Sequence, residues 1–271
     1  MTLTSFDLTG RVAVVTGGYG VLGGSMTDAL VESGAKVAIL GRRRDQAMKK
    51  VADLRERGAE AMTLEADVLD MDQLRAARDE VMNAWGSVDI LINAAGGSVP
   101  GSRTDTVAVF DVPADAFDQV LTLNLHGSIN PTLVFGELMS RQRRGVVVNI
   151  SSMAALRAMT GVPGYSIAKA GIDSFTRWMA MEMARKYGDG IRVNAIAPGF
   201  FITTQNRSVL VNPDGNLTAR AQAVIAQTPM GRMGNPDELK GVVQWLCSDA
   251  SSFVTGTVIP VDGGFSIFSG V

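Results

Sequence analysis

Short, unbroken apolar runs alternate along this chain with longer stretches in which apolar residues recur every three to four positions. Val12-Ala13-Val14-Val15, Val37-Ala38-Ile39-Leu40, Ala61 to Ala66, Asp89 to Asn93, Gly145 to Ile150, Ile191 to Ile196 and Thr257 to Val261 predict seven strands. Helical periodicity fills the intervals: Leu22, Met26, Leu30 and Val31, then Arg43 to Arg57, Met71 to Trp85, about Ala114 to Arg141, Tyr165 to Tyr187 and Asp237 to Leu246. Strands that are apolar at successive positions are buried on both faces, and helices between them supply the crossovers that parallel pairing needs. The pattern predicts an α/β fold: a single doubly wound, Rossmann-type domain with a parallel seven-stranded sheet and helices on both faces. Pro131 lies inside the long fourth helix and predicts a kink there, or a local break near Gly127.

With 271 residues the chain fits one large domain, 1–271, with no internal repeat or linker. A cofactor-binding half is expected over about 1–145 and a catalytic and substrate half over about 146–271. A composition of 46% hydrophobic and 19% charged residues suits a globular protein with a sizeable core. A net charge of −2 without a basic block gives no electrostatic case for nucleic acid. The single cysteine, Cys247, excludes an internal disulfide and reads as a buried small hydrophobe. No Cys/His cluster supports a metal, and the lone His126 reads as a helix-packing residue. Without an apolar run long enough to span a bilayer or a signal-peptide pattern, the expected setting is the cytoplasm.

Candidate chemistry begins directly after the first strand. Thr16-Gly17-Gly18-Tyr19-Gly20-Val21-Leu22-Gly23 links that strand to the first helix, where glycines permit a tight turn and a pyrophosphate can sit on free N–H groups at the helix N-terminus. The second strand ends in Gly41-Arg42-Arg43-Arg44 with no acid before Asp45. A carboxylate at that point suits the ribose 2′-hydroxyl of NAD, and an arginine suits a 2′-phosphate. Arg42 therefore predicts a preference for NADP(H), with NAD(H) as the alternative; a solvated basic turn is the competing reading for Arg43 and Arg44.

Tyr165 and Lys169 stand four residues apart, on one face of the predicted helix, with Ser152 thirteen residues upstream. A phenol titrates near 10 and is a poor acid or base at neutral pH. An ammonium beside it favours the phenolate and lowers that value, while a serine hydroxyl can hold a substrate oxygen. Such a set suits proton transfer coupled to carbonyl–alcohol interconversion. The spacing alone also arises by chance on surface helices, so its weight comes from the elements around it.

Taken together, the glycine loop, Asp67-Val68, Asn93-Ala94-Ala95-Gly96, Asn124, Ser152, Tyr165, Lys169 and Pro198-Gly199 resemble the short-chain dehydrogenase/reductase family in order and spacing over essentially the whole chain. The resemblance implies roles. Tyr165 would be the general acid/base, Lys169 would lower its pKa and hold the nicotinamide ribose, Ser152 would position the substrate oxygen, and Asn124 would hold a relay water. Gly17, Gly18, Tyr19, Gly20, Leu22 and Gly23 would cradle the cofactor phosphates. Asp67 and Val68 would border the adenine, Asn93, Ala94 and Gly96 would pack by the adenosine ribose and stabilise the sheet, Pro198 and Gly199 would contact the cofactor, and Thr203 would touch its nicotinamide or phosphate region. In one respect the loop departs from the family's pattern: Val21 stands where a glycine is usual. The resemblance also implies a homotetramer or homodimer, and the Phe175, Met179 and Met183 face reads as either interface or core.

Gly20 to Gly24, Pro198 to Phe201, Gln205-Asn206-Arg207, Thr228 to Arg232 and Val261 to Ser266 look like the family's D-mannonate/fructuronate oxidoreductase branch. That implies sugar acid metabolism and a small-molecule carbonyl or alcohol substrate. The segment of about 200–236, with a turn at Asn212-Pro213-Asp214-Gly215 and a short helix from Thr218 to Gln227, is expected to border the site as a lid. Arg207 is the candidate for a substrate carboxylate, with Arg157 as its rival and a surface ion pair as the ordinary alternative for both. Gln205 and Asn206 are candidates for sugar hydroxyls, against loop-internal hydrogen bonding. Met153 and Met159 are candidate pocket lining. Two enzymes of the same family stand as alternatives, a 3-oxoacyl-carrier-protein reductase and a generic alcohol dehydrogenase. From another class stands a dinucleotide-sensing module without turnover.

Overall fold

Seven parallel strands form one sheet in the order β3-β2-β1-β4-β5-β6-β7. They are β1 (Val12–Thr16), β2 (Lys36–Leu40), β3 (Ala61–Leu64), β4 (Ile90–Asn93), β5 (Gly145–Ile150), β6 (Ile191–Pro198) and β7 (Val258–Val261). The computed structural model describes residues 6–105 and 107–270. Among these, the helices are α1 (Val21–Glu32), α2 (Arg44–Glu56), α3 (Met71–Trp85), α4 (Ala114–Gln142), α5 (Pro163–Tyr187), α6 (Arg207–Leu210), α7 (Ala219–Ala226) and α8 (Lys240–Cys247).

The expected two-sided burial is visible residue by residue. Ala13 and Val15 of β1 join one core with Met26 and Leu30 of α1, Val51 and Leu54 of α2, and Leu246 and Cys247 of α8. Val12 and Val14 point the other way, into a second core with Leu74 and Val81 of α3, Phe135 and Met139 of α4, and Met179 and Met183 of α5. Met179 and Met183 are thus core residues, and Phe175 packs against them. Cys247 is buried as expected, and burial pushes its thiol up to about 12. His126 is exposed, so it is not a packing residue.

α4 runs through Pro131 without the break considered near Gly127. A proline ring in a helix collides with the carbonyl four residues earlier, and here that residue is the buried Gly127. The expected helix from Asp237 to Leu246 divides into a 3₁₀ turn, Pro236–Leu239, and then α8. Asn235 starts that turn with a capping box, accepting from backbone N–H while Glu238 accepts from the Asn235 N–H at 2.7 Å.

The strand order reverses between β1 and β4, and the crevice outside the strand ends at such a switch point is where ligands bind in doubly wound sheets. The loops after β1, β4, β5 and β6 all open there. The 200–236 segment leaves the sheet at Phe201 and returns at Gly234, where the two residues form a bridge and the Gly234 N–H donates to the Phe200 carbonyl at 2.9 Å.

Candidate active site

A single cavity of about 630 Å³ runs across this crevice, from the glycine loop and Arg42 at one end to Ser152, Tyr165 and Gln205 at the other. Its first wall is the β1–α1 loop. Gly17 adopts φ +66°, and a Cβ on Gly23 would lie 2.4 Å from the Gly17 carbonyl oxygen, so that position admits no side chain. Gly18 lies behind the cavity wall, where a Cβ would meet Thr27 Oγ1 at 2.7 Å. Val21, the departure from the family pattern, is the first residue of α1 and is 36% exposed, so its side chain leaves the loop undisturbed. Gly20 caps α1 with no side-chain hydrogen bond and no acid follows in the first turn. The first N–H groups of the helix therefore face the cavity as anion donors.

Tyr19, Arg42 and Arg43 together line the expected adenine end. The Arg43 guanidinium lies 4.9 Å from the centre of the Tyr19 ring. Arg42 donates to Asp67 at 3.3 Å, whereas Arg44 pairs with Glu65 at 3.4 Å and does not line the cavity. Val68, Ala94 and Gly96 complete this stretch of lining. Asn93 stands behind it, buried, its Nδ2 donating to Thr132 Oγ1 and Asn149 Oδ1, both at 2.8 Å. It ties β4 to α4 and β5 and lies off the cavity wall.

At the other end, Ser152 closes β5 as the cap of a short 3₁₀ turn, its Oγ accepting from the Ala154 N–H at 3.1 Å. α5 brings up Tyr165 and Lys169 on its first turns, so Ser152, Tyr165 and Lys169 line one cavity. Lys169 Nζ donates to the Ile150 carbonyl at 2.6 Å and lies 5.4 Å from the centre of the Tyr165 ring. Burial pulls the Lys169 ammonium down from 10.5 to about 8, against the opposing charge of Asp173. The expected lowering of the Tyr165 phenol is not what its surroundings produce. Burial pushes it up, opposed by a hydrogen bond with Ser152. The reason is desolvation: the phenol and the ammonium both lie in low dielectric, which disfavours the charged form of each.

Asn124 is fully buried and off the lining. Its Oδ1 accepts from the Gly97 N–H at 2.9 Å, and its Nδ2 donates to the Gly97 and Val120 carbonyls, both at 2.8 Å. It clamps the β4 loop to α4. Pro198, Gly199 and Thr203 line the cavity after β6.

Three substrate candidates are placed otherwise than the sequence suggested. Arg207 is exposed on α6 and does not line the cavity. Arg157 turns away, donating to the carbonyls of Phe265 and Phe268 near the C-terminal end. Asn206 touches the lining, but its amide serves the loop, accepting from the Thr203 N–H at 2.7 Å and donating to the Phe201 carbonyl at 2.8 Å. Gln205 does reach the cavity, lying over Gly96 and Gly97 and donating to the Gly96 carbonyl at 3.2 Å. Met153 and Met159 line it as expected. Arg103, from the loop after β4, also lines it. No motif marks Arg103 in the sequence.

These residues fit a nicotinamide dinucleotide. An uncapped helix N-terminus meets a turn where only glycine fits, arginines stand at the adenine end, and a phenol–lysine–serine set lies at the far end. Comparisons with known proteins agree. A family model described as enoyl-(acyl carrier protein) reductase matches residues 20–266. The chain is 42% identical to an uncharacterized oxidoreductase, UxuB, of Bacillus subtilis (strain 168), over 98% of both chains. A crystal structure of a proposed D-mannonate oxidoreductase from Haemophilus influenza, with bound NAD, superposes with a TM-score of 0.92 at 37% identity over 98% of each chain. A gluconate 5-dehydrogenase from Burkholderia cenocepacia, in complex with NADP and tartrate, superposes with a TM-score of 0.88 at 31% identity, covering 98% of this chain and 99% of that one. With the site geometry and these relatives in agreement, the chain belongs to the short-chain dehydrogenase/reductase family and is an NAD(P)-dependent oxidoreductase.

Proposed function

We propose that this enzyme interconverts a keto and a secondary hydroxyl group on a sugar acid of the D-mannonate/D-fructuronate type, with NADP(H) as its preferred cofactor. The observation that carries the reading is the single cavity in which the helix N-terminus, Tyr165 and a polar far end are joined. A bound nicotinamide supplies the hydride acceptor or donor. The chain's own residues do the rest. Ser152 and Tyr165, which line the same cavity, hold the substrate oxygen between them. In the oxidative direction Tyr165 Oη takes the hydroxyl proton, and in the reductive direction it returns one. The charge of Lys169 stabilises the phenolate that accepts the proton in the first case and is left behind in the second. Asn124 keeps the β4 loop in register beside them, and the role of relay-water holder stays with it in this reading.

Support for the sugar-acid class comes from the far end of the cavity, where Gln205 and Arg103 offer polar contacts, and from the solved relatives described as acting on sugar acids. Arg42 and Arg43 at the end of β2 support NADP(H). We take the 200–236 segment as a lid over the substrate, and the functional particle as a homotetramer or homodimer in the cytoplasm. The test is initial-rate kinetics on uronates, aldonates, neutral polyols and 3-oxoacyl thioesters with both cofactors. The highest kcat/KM is expected for a six-carbon sugar acid with NADP(H). A preference for acyl thioesters or neutral alcohols would overturn the substrate assignment.

A further inference from the structure

The cavity carries an uneven charge. Among the described residues its lining holds four cationic side chains, Arg42, Arg43, Arg103 and Lys169, and one acid, Asp67. Arg42, Arg43 and Asp67 stand at the adenine end, and Lys169 spends a hydrogen bond on the Ile150 carbonyl. Arg103 is the remaining cation, on the lining shared with Ser152, Tyr165 and Gln205.

The loop that carries Arg103 is anchored against the active-site helix. Ser102 is buried, with its Oγ donating to the Val99 carbonyl at 2.7 Å, and the Thr104 N–H donates to the Gly161 carbonyl at 3.2 Å, two residues before α5. Gly161 itself adopts φ +81°, and a Cβ there would lie 3.4 Å from Asp105 Cβ. The guanidinium is held by one edge. Its Nε donates to Asp105 Oδ1 at 2.9 Å and its Nη2 to Oδ2 at 2.5 Å. Among the described residues Nη1 has no hydrogen-bond partner. The field of Arg220, on α7, also acts on Asp105, and Arg220 donates to Thr160 at 3.2 Å. Asp105 thus pairs with Arg103 and lies in the field of Arg220, so the three groups leave one positive charge uncompensated.

We propose that Arg103 binds the carboxylate of the substrate and sets the enzyme's preference for acids over neutral alcohols, with Asp105 holding the guanidinium in position. Guanidinium binds a carboxylate through paired N–H donors in a fixed plane, so a side chain steered by Asp105 from one edge presents its other edge in a defined direction. Arg220 places the proposed lid at the same cluster, so the incoming carboxylate would bring Arg103, Asp105 and Arg220 to charge balance. This inference rests on the sugar-acid reading and names the residue that enforces it.

The test compares wild type with Arg103→Gln and Arg103→Lys, on a hexonate and on the neutral polyol of the same carbon skeleton. A charge-assisted hydrogen bond at a desolvated site contributes enough for a change of about 10- to 100-fold. The ratio of kcat/KM for acid over polyol is expected to fall by about that factor in Arg103→Gln, carried by the KM for the acid rather than by kcat. Arg103→Lys is expected to fall less, because it keeps the charge and loses the paired geometry. It also keeps the test open should Arg103→Gln fail to fold, which thermal melting would reveal. A wild type that prefers the acid while both variants keep its ratio overturns the role of Arg103 and leaves the sugar-acid reading standing. A wild type with no preference for the acid overturns both.

Discussion

Lys169 Nζ reaches the Ile150 carbonyl at 2.6 Å while lying 5.4 Å from the centre of the Tyr165 ring. The ammonium is thus anchored to the end of β5, and it acts on the phenol from beside the ring. Its charge is costly to bury, and the drop from 10.5 to about 8 corresponds to about 3 kcal/mol against folding. A lysine whose folded pKa is depressed binds fewer protons folded than unfolded between those two values. The cost is full below pH 8 and is relieved as pH rises toward 10.5. Lys169→Met should therefore be inactive yet more stable by about 1–3 kcal/mol at pH 7, allowing for the lost hydrogen bond. The stability gap to wild type should narrow as pH rises from 8 to 10.5. Urea melts at three pH values check this, and a destabilised variant at pH 7 would count against an unfavourable buried charge.

Tyr165→Phe removes only the group that moves the proton. The expected loss in kcat is about 10²- to 10⁴-fold, with the dissociation constant for the reduced cofactor held within about threefold, since the ring itself remains. Stopped-flow single turnover and fluorescence titration separate the two. Turnover that survives would assign proton transfer to another group.

Most of the fold was legible because β1, β2, β4 and β5 carry runs of successive apolar residues, and only a sheet covered on both faces has room for that. Ser152, Tyr165 and Lys169 were legible for a related reason. Their spacing falls across a strand end and a helix start, elements that periodicity locates well. Boundary details failed where a local device intervened, as with the Asn235–Glu238 capping box ahead of α8. The substrate end was the least legible. Arg157 and Asn206 lie on loops and Arg207 opens the single turn of α6, where sequence does not say which way a side chain turns, and the structure sends Arg157 to carbonyls near the C-terminal end. Arg103 was missed because its place on the lining depends on the path of an irregular loop after β4. The phenol was expected to be lowered because spacing places a cation beside it, but spacing says nothing of burial, and burial dominates.

Arg42 lines the adenine end with its side chain 65% exposed and, among the described residues, shares Asp67 with no second cation. A 2′-phosphate would meet an arginine already aimed at the cavity. Arg42→Ala should raise the KM for NADPH about 10-fold or more, the loss of one charge-assisted hydrogen bond, and change the KM for NADH by less than about threefold. Steady-state kinetics with both cofactors decide the matter. A uniform rise would mean that Arg42 serves the loop and not the phosphate.

The glycine loop offers a paired test within the first turn of α1. Gly23→Ala places a methyl 2.4 Å from the Gly17 carbonyl oxygen, a backbone atom that cannot step aside without moving the turn. Stability should fall by about 1–3 kcal/mol, and cofactor affinity should fall with it. Val21→Gly removes a half-exposed side chain near the helix start and should cost no more than about 1 kcal/mol. Equal effects of the two on the dissociation constant for the dinucleotide would show that the close approach at Gly23 does not shape the cradle.

Asp173 lies one turn beyond Lys169, buried, with its Oδ1 lacking a hydrogen-bond partner among the described residues. Burial raises its carboxyl pKa, opposed by a hydrogen bond from Ser151 and by the charges of Arg177 and Lys169. Its own charge is the one that counters desolvation at Lys169. Asp173→Asn removes that charge at nearly constant volume, so the Lys169 ammonium should titrate below about 8. Carbonyl reduction needs the lysine charged and the phenol protonated, and it should fall with rising pH as the ammonium is lost. In the variant that fall should begin at lower pH, with the acid-side plateau keeping its shape. A pH series of kcat in the reductive direction reads this directly. An unmoved alkaline limb would mean that the limb reports the phenol alone and that Asp173 serves α5 by packing.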